Sequence, residues 1–162
     1  MQYEKTKKKP TQFLSLTGFT VSEFEEFLPH FQYDWEKYNA CFTLFGKERQ
    51  RTFYNRKTSV LPMIGDKLMF ILSYLKTNPL QEQHAWSYGL NQPQCNLWIH
   101  LLKKILLTTL ERLRELPERD CCRAEQIIGL YDNVLLDGTE RPIQRPQASD
   151  RQKSCYSGKK NS

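Results

Sequence analysis

The sequence predicts a mainly helical chain that passes into a short β segment near its C-terminal end. Three observations carry this expectation. Apolar residues return at helical intervals after Thr20, after Pro62 and after Asn91. Proline, glycine and asparagine punctuate the ends of these stretches, as at Asn78-Pro79, Gly89 and Pro117. A run rich in Ile, Leu and Val, from Ile127 to Leu136, then closes on Asp137 and reads as a strand.

The elements follow in order. Residues 1–15, opening on "MQYEKTKKKP", lack apolar periodicity and are expected to form a basic disordered tail. A helical domain is expected over residues 16–118. In its first helix Thr20 and Glu23 have capping-box spacing, and Phe24, Phe27, Leu28 and Phe31 line one face. Pro29 is expected to kink or divide that helix before "YDWEKYNACFTLF". The Arg-rich stretch Gly46 to Leu61 reads as a connection. A second helix has Pro62 in its first turn, Leu68, Ile71, Leu72 and Leu75 on its buried face, and Asn78-Pro79 as its stop. A short third helix ends at Gly89, and a long fourth starts from Asn91 as N-cap and runs to Pro117. Residues 119–162 form the last segment, in which the charged "ERDCCRAEQ" leads into the strand ending at Asp137.

Composition narrows the function. The net charge is +6. Its excess is local, at Lys5 and Lys7 to Lys9, at Lys47, Arg49, Arg51, Arg56 and Lys57, and at Arg141, Arg145, Arg151, Lys153, Lys159 and Lys160. Such clusters suit a polyanion, because neutralising phosphates releases counterions; solvated loops would carry the same charges. The five cysteines, Cys41, Cys95, Cys121, Cys122 and Cys155, include no CxxC pair, and neither they nor His30, His84 and His100 have zinc-ligand spacing. They read as reduced thiols of a cytosolic protein. No apolar run reaches the length of a membrane span, so no membrane partner is expected.

The segment "QEQHAWSYGLNQPQCNLWIHLL" has the spacing of a helix-turn-helix. Ala85 is small where two helices would touch, Gly89 allows a left-handed turn, and Cys95 and Trp98 turn apolar surface toward the first helix. The same spacing occurs in helix pairs that never meet DNA. The outward amides at the start of the second helix favour DNA: beside the N-cap Asn91, Gln92, Gln94 and Asn96 can pair bidentately with adenine in the major groove. His100, Lys103 and Lys104 farther along would meet phosphates. Ordinary capping and solvation is the plain alternative for the amides.

Three strings, "PLQEQHAWSYGLNQPQCNLWIHLL", "LLDGTERPIQRP" and "QKSCYSGKK", stand in this order between Pro79 and Lys160. Together they resemble the N-terminal half of a bacterial insertion-sequence transposase of the DDE superfamily, over a span from about Trp35 to Lys160. The second and third strings are far more specific than any helix-turn-helix pattern. The resemblance implies a helical DNA-binding region followed by the start of an RNase H-like catalytic domain. It implies Asp137 as the first acid of a catalytic triad and a ligand of Mg²⁺, and the element's terminal repeats, as double-stranded DNA, as partner in the bacterial cytoplasm. The family pattern continues to a second Asp and a final Glu, which these residues do not contain. A truncated, inactive domain without tight Mg²⁺ binding is therefore expected, since a two-metal phosphodiester site needs several carboxylates. A different class of function is a helical interaction module, self-associating or docking on the catalytic half, suggested by the aromatic load of Phe24, Phe27, Phe31, Trp35 and Trp98. A short repressor product of the element would use the same DNA contacts.

Overall fold

A computed structural model describes residues 1–52, 60–116, 121–130 and 147–154. Eight helices are found among them: α1 (Tyr3–Thr6), α2 (Pro10–Thr17), α3 (Val21–Cys41), α4 (Ile64–Thr77), α5 (Gln81–Tyr88), α6 (Gln92–Leu113), α7 (Cys121–Ile128) and α8 (Ser149–Ser154). The chain divides into two units, Met1–Pro117 and Glu118–Ser162.

In the first unit α4 is the central helix, touching α1, α2, α3 and α6. Every residue from Gly65 to Ser73 is buried, including Asp66 and Lys67. Both charged groups are hydrogen-bonded. The Asp66 carboxylate accepts the Tyr3 backbone N–H at 2.7 Å, and the Lys67 ammonium donates to the Leu61 carbonyl at 2.5 Å while lying 5.0 Å from the Trp35 ring centroid. Helix α3 opens on the capping box expected at Thr20 and Glu23, with the Thr20 N–H donating to the Glu23 carboxylate at 2.8 Å. It is tied to α6 by Arg112, whose guanidinium meets the buried Asp34 carboxylate at 2.9 Å.

Several expectations are corrected. The opening residues are ordered, with α1 and α2 lying where residues 1–15 read as a disordered tail. The reason is tertiary: Tyr3 stacks on Phe24 with ring centroids 4.9 Å apart, and Phe13 meets Phe24 edge-on at 5.1 Å. Two well-placed aromatics anchor a segment too polar to show a period. Pro29 leaves α3 undivided. It lies on the exposed side with Glu25, where the carbonyl that a proline nitrogen cannot serve faces solvent instead of the core. Pro62 precedes the N-cap Met63 instead of entering the first turn of α4, and Leu75 is half-exposed because the last turn of that helix runs past the core. Asn78 does stop α4, in the left-handed conformation at φ 44°.

In the second unit the first residues of the expected strand are helical. Ile127 and Ile128 close helix α7, and no strand is found among the described residues, where the only pairing of that type is an isolated bridge between Phe42 and Glu48. The spacing of Ala124 and Ile128 fits a helical face as well as an approach to a strand, and Gly129 follows the last helical residue. The remainder of the expected strand, residues 131–137, lies outside the described residues. So do Arg56 and Lys57, Arg141 and Arg145, and Lys159 and Lys160.

Candidate nucleic-acid interface

Helices α5 and α6 are joined by Gly89, Leu90 and Asn91. Gly89 has φ 67°, and its N–H donates to the Trp86 carbonyl at 3.2 Å while the Leu90 N–H donates to Ala85 at 2.9 Å. This pair of bonds satisfies the free carbonyls at the end of α5 and turns the chain. Leu90 then buries its side chain. Ala85, Cys95 and Trp98 are buried as expected, so α5 and α6 pack closely and rigidly. Trp98 also stacks on Trp35 of α3, with ring centroids 5.9 Å apart.

The first turn of α6 is fixed by a reciprocal cap. The Asn91 side-chain oxygen accepts the Gln94 N–H at 2.9 Å, and the Gln94 side-chain oxygen accepts the Asn91 N–H at 3.3 Å. Asn91, expected as the N-cap, and Gln94, one of the three expected readout amides, are thus engaged in holding the helix end, which was the plain alternative for the amides. The other two are tied to a residue that sequence reasoning missed. Gln81, the first residue of α5, accepts with one side-chain oxygen from the Gln92 amide at 3.1 Å and the Asn96 amide at 3.1 Å. Its positions, 11 and 15 residues upstream, carry no periodic signal, because the link crosses the turn. Each of these amides keeps one N–H and its oxygen, the donor and acceptor pair that matches adenine in the major groove.

Farther along α6, Asn96, His100 and Lys104 recur every fourth residue and form one stripe on the solvent side. Lys104 extends over the Tyr38 ring, its nitrogen 5.6 Å from the centroid, and Lys103 is exposed beside it. Six of the seven expected DNA contacts are exposed and Asn96 is half-buried. His84 belongs to the core instead: its Nε2 lies 3.1 Å from the Phe70 carbonyl, and burial lowers its pKa, which keeps it neutral. Burial likewise raises the Cys95 thiol, an unreactive packing residue.

Phe24, Phe31, Trp35 and Trp98 are buried and Phe27 is packed against the core. The aromatic load that suggested an interaction module is therefore absorbed by the fold. The strongly exposed aromatics are others, Trp86 at 89% and Phe45 at 77%. Asp137, the expected catalytic and metal-binding carboxylate, lies outside the described residues. Among the described residues no group of three His, Cys, Asp or Glu side chains could hold a metal ion, and no helix is long and apolar enough to cross a membrane. No family model, no curated protein and no solved structure matches the chain.

Proposed function

We propose that the first unit is a sequence-specific DNA-binding module of the helix-turn-helix type, the N-terminal part of a DDE transposase, and that it recognises the terminal repeats of its element. The single observation that supports this most is the row of amides at the start of α6, held by its own cap and by Gln81 on a rigid helix pair. A recognition helix presents its N-terminal turns to base edges, and restricting those side chains beforehand lowers the entropic cost of reading them. Phosphate contacts fall to His100, Lys103 and Lys104.

Duplex binding at several salt concentrations tests the reading. Tighter binding to terminal repeats than to scrambled sequence is expected, with affinity falling as salt rises. Equal affinity for both duplexes would refute it. The catalytic part of the reading rests on Asp137 as one carboxylate of a Mg²⁺-binding set. In a chain carrying the two further acids, Asp137→Asn should abolish Mg²⁺-dependent nicking at element ends, because the amide lacks the charge that helps hold the ion.

A further inference from the structure

We infer that the groove between α6 and the turn following α3 binds unstacked bases of single-stranded DNA, with Phe45 as the stacking platform. The turn is rigidly built. Phe42 and Glu48 form an antiparallel bridge, the Thr43 N–H donates to the Lys47 carbonyl at 2.8 Å, and the Arg49 N–H donates to Cys41 at 2.7 Å. Gly46 takes φ 75°, the left-handed conformation that lets the chain reverse immediately after Phe45. The Tyr38 hydroxyl reaches the Thr43 carbonyl at 3.3 Å and fixes the turn against α3. This leaves Phe45 at 77% exposure, a large desolvation liability for a residue that contributes nothing to the core.

What lies beside Phe45 indicates the occupant. A groove of about 350 Å³ separates the turn from α6 and is lined by Tyr38, Phe45, Asn96, Leu97, His100 and Lys104 among others. None of its described lining residues is acidic. Flat aromatic surface, a fixed ammonium and an amide side by side match a ligand that is anionic along its backbone and planar and apolar between its charges. A nucleic-acid strand has that alternation. In a duplex the base faces are covered by stacking and only edges are presented, so Phe45 has nothing to stack on; a single strand offers its faces at little cost. The inference shares with the proposed function the premise that α6 faces nucleic acid, but it needs no sequence preference and no terminal repeat.

Anisotropy of a labelled oligothymidine, titrated with the full chain at low and moderate salt, tests it. Salt-dependent binding is expected. Phe45→Ala should weaken it roughly 5- to 100-fold, the effect of losing one base–aromatic stack, and Phe45→Tyr should restore it. Lys104→Ala should reduce both affinity and salt dependence. Trp86→Ala, which removes an exposed aromatic outside the groove, should leave binding unchanged. Irradiation of a bound iododeoxyuridine strand should crosslink the unaltered protein at Phe45 or Tyr38, a readout independent of any variant. Absence of binding, equal binding by Phe45→Ala, or crosslinks found only elsewhere would overturn the inference. Displacement by polyglutamate with no dependence on Phe45 would also overturn it and assign the surface to an acidic protein. Loss of the duplex preference together with retained Phe45-dependent strand binding would defeat the proposed function and leave this inference standing.

Discussion

Helices α4 and α6 solve different problems with similar apolar content. Helix α4 is buried on nine consecutive residues, Gly65 to Ser73, and so has almost no surface with which to meet a partner. Helix α6 hides one stripe, running from Cys95 through Trp98, Leu102 and Ile105 to Thr109, and leaves Asn96, His100, Lys103 and Lys104 toward solvent. One helix holds the unit together. The other divides its circumference between packing and solvent, so the two should respond differently to substitution.

The largest effect is expected in α4. Phe70 is fully buried, with its ring 4.4 Å from His84 and 4.9 Å from Tyr88, so Phe70→Ala removes packing between α4 and α5. A loss of about 3–5 kcal/mol is expected in denaturant unfolding. A loss under about 1 kcal/mol would show that α4 is not the central packing helix of the unit.

The next effect follows from the charge α4 buries. Desolvation pushes the Lys67 ammonium down to about 8, whereas the unfolded residue returns toward about 10.4. Between those values the unfolded chain binds more protons, so stability rises with pH over that window, by roughly 2–3 kcal/mol. Tyr3 and Tyr88 act in the opposite sense. Burial raises both phenols, so above about pH 10 the unfolded chain ionises first and stability falls. His84, lowered by burial, adds a loss as pH drops below about 6.5. Unfolding followed across these ranges should therefore show a rise from pH 8 toward about 10 and a fall beyond it, and Lys67→Met should remove the rise.

Gly89 joins the two kinds of surface and should give a smaller effect. Nothing lies within 4 Å of a Cβ added there, so the cost of substitution comes from its φ of 67° and not from a clash. Gly89→Val should lose about 1–2 kcal/mol in thermal unfolding, and Gly89→Asn distinctly less, because asparagine tolerates the left-handed region. Equal losses for the two variants would point to packing instead of backbone strain.

The smallest effect on stability, and the most telling for function, is expected at Gln81. Its side chain is half-buried at the surface and makes no core contact, so Gln81→Ala should change stability by less than about 0.5 kcal/mol. Specific duplex affinity should nevertheless fall by about 1 kcal/mol, as Gln92 and Asn96 lose the oxygen that orients them. An unchanged preference between terminal and scrambled duplexes would confine readout to side chains that Gln81 does not touch.

Local signals in the sequence set the ends of α3 to α6. Thr20 and Glu23, Asn91 and Gln94, Asn78 and Gly89 each satisfy or turn a helix end through neighbours a few residues away, and such bonds need no tertiary context. The sequence also determined which face of α6 is wet, since that follows from periodicity. The tertiary structure alone decided the rest. It ordered the first 15 residues, because Tyr3 and Phe13 find Phe24 and Asp66 across the fold. It kept α3 whole through Pro29, and brought Gln81 to the amides of α6 and Phe45 to the side of Lys104. These outcomes share one cause: each depends on residues distant in sequence, which the spacing of nearby residues does not specify.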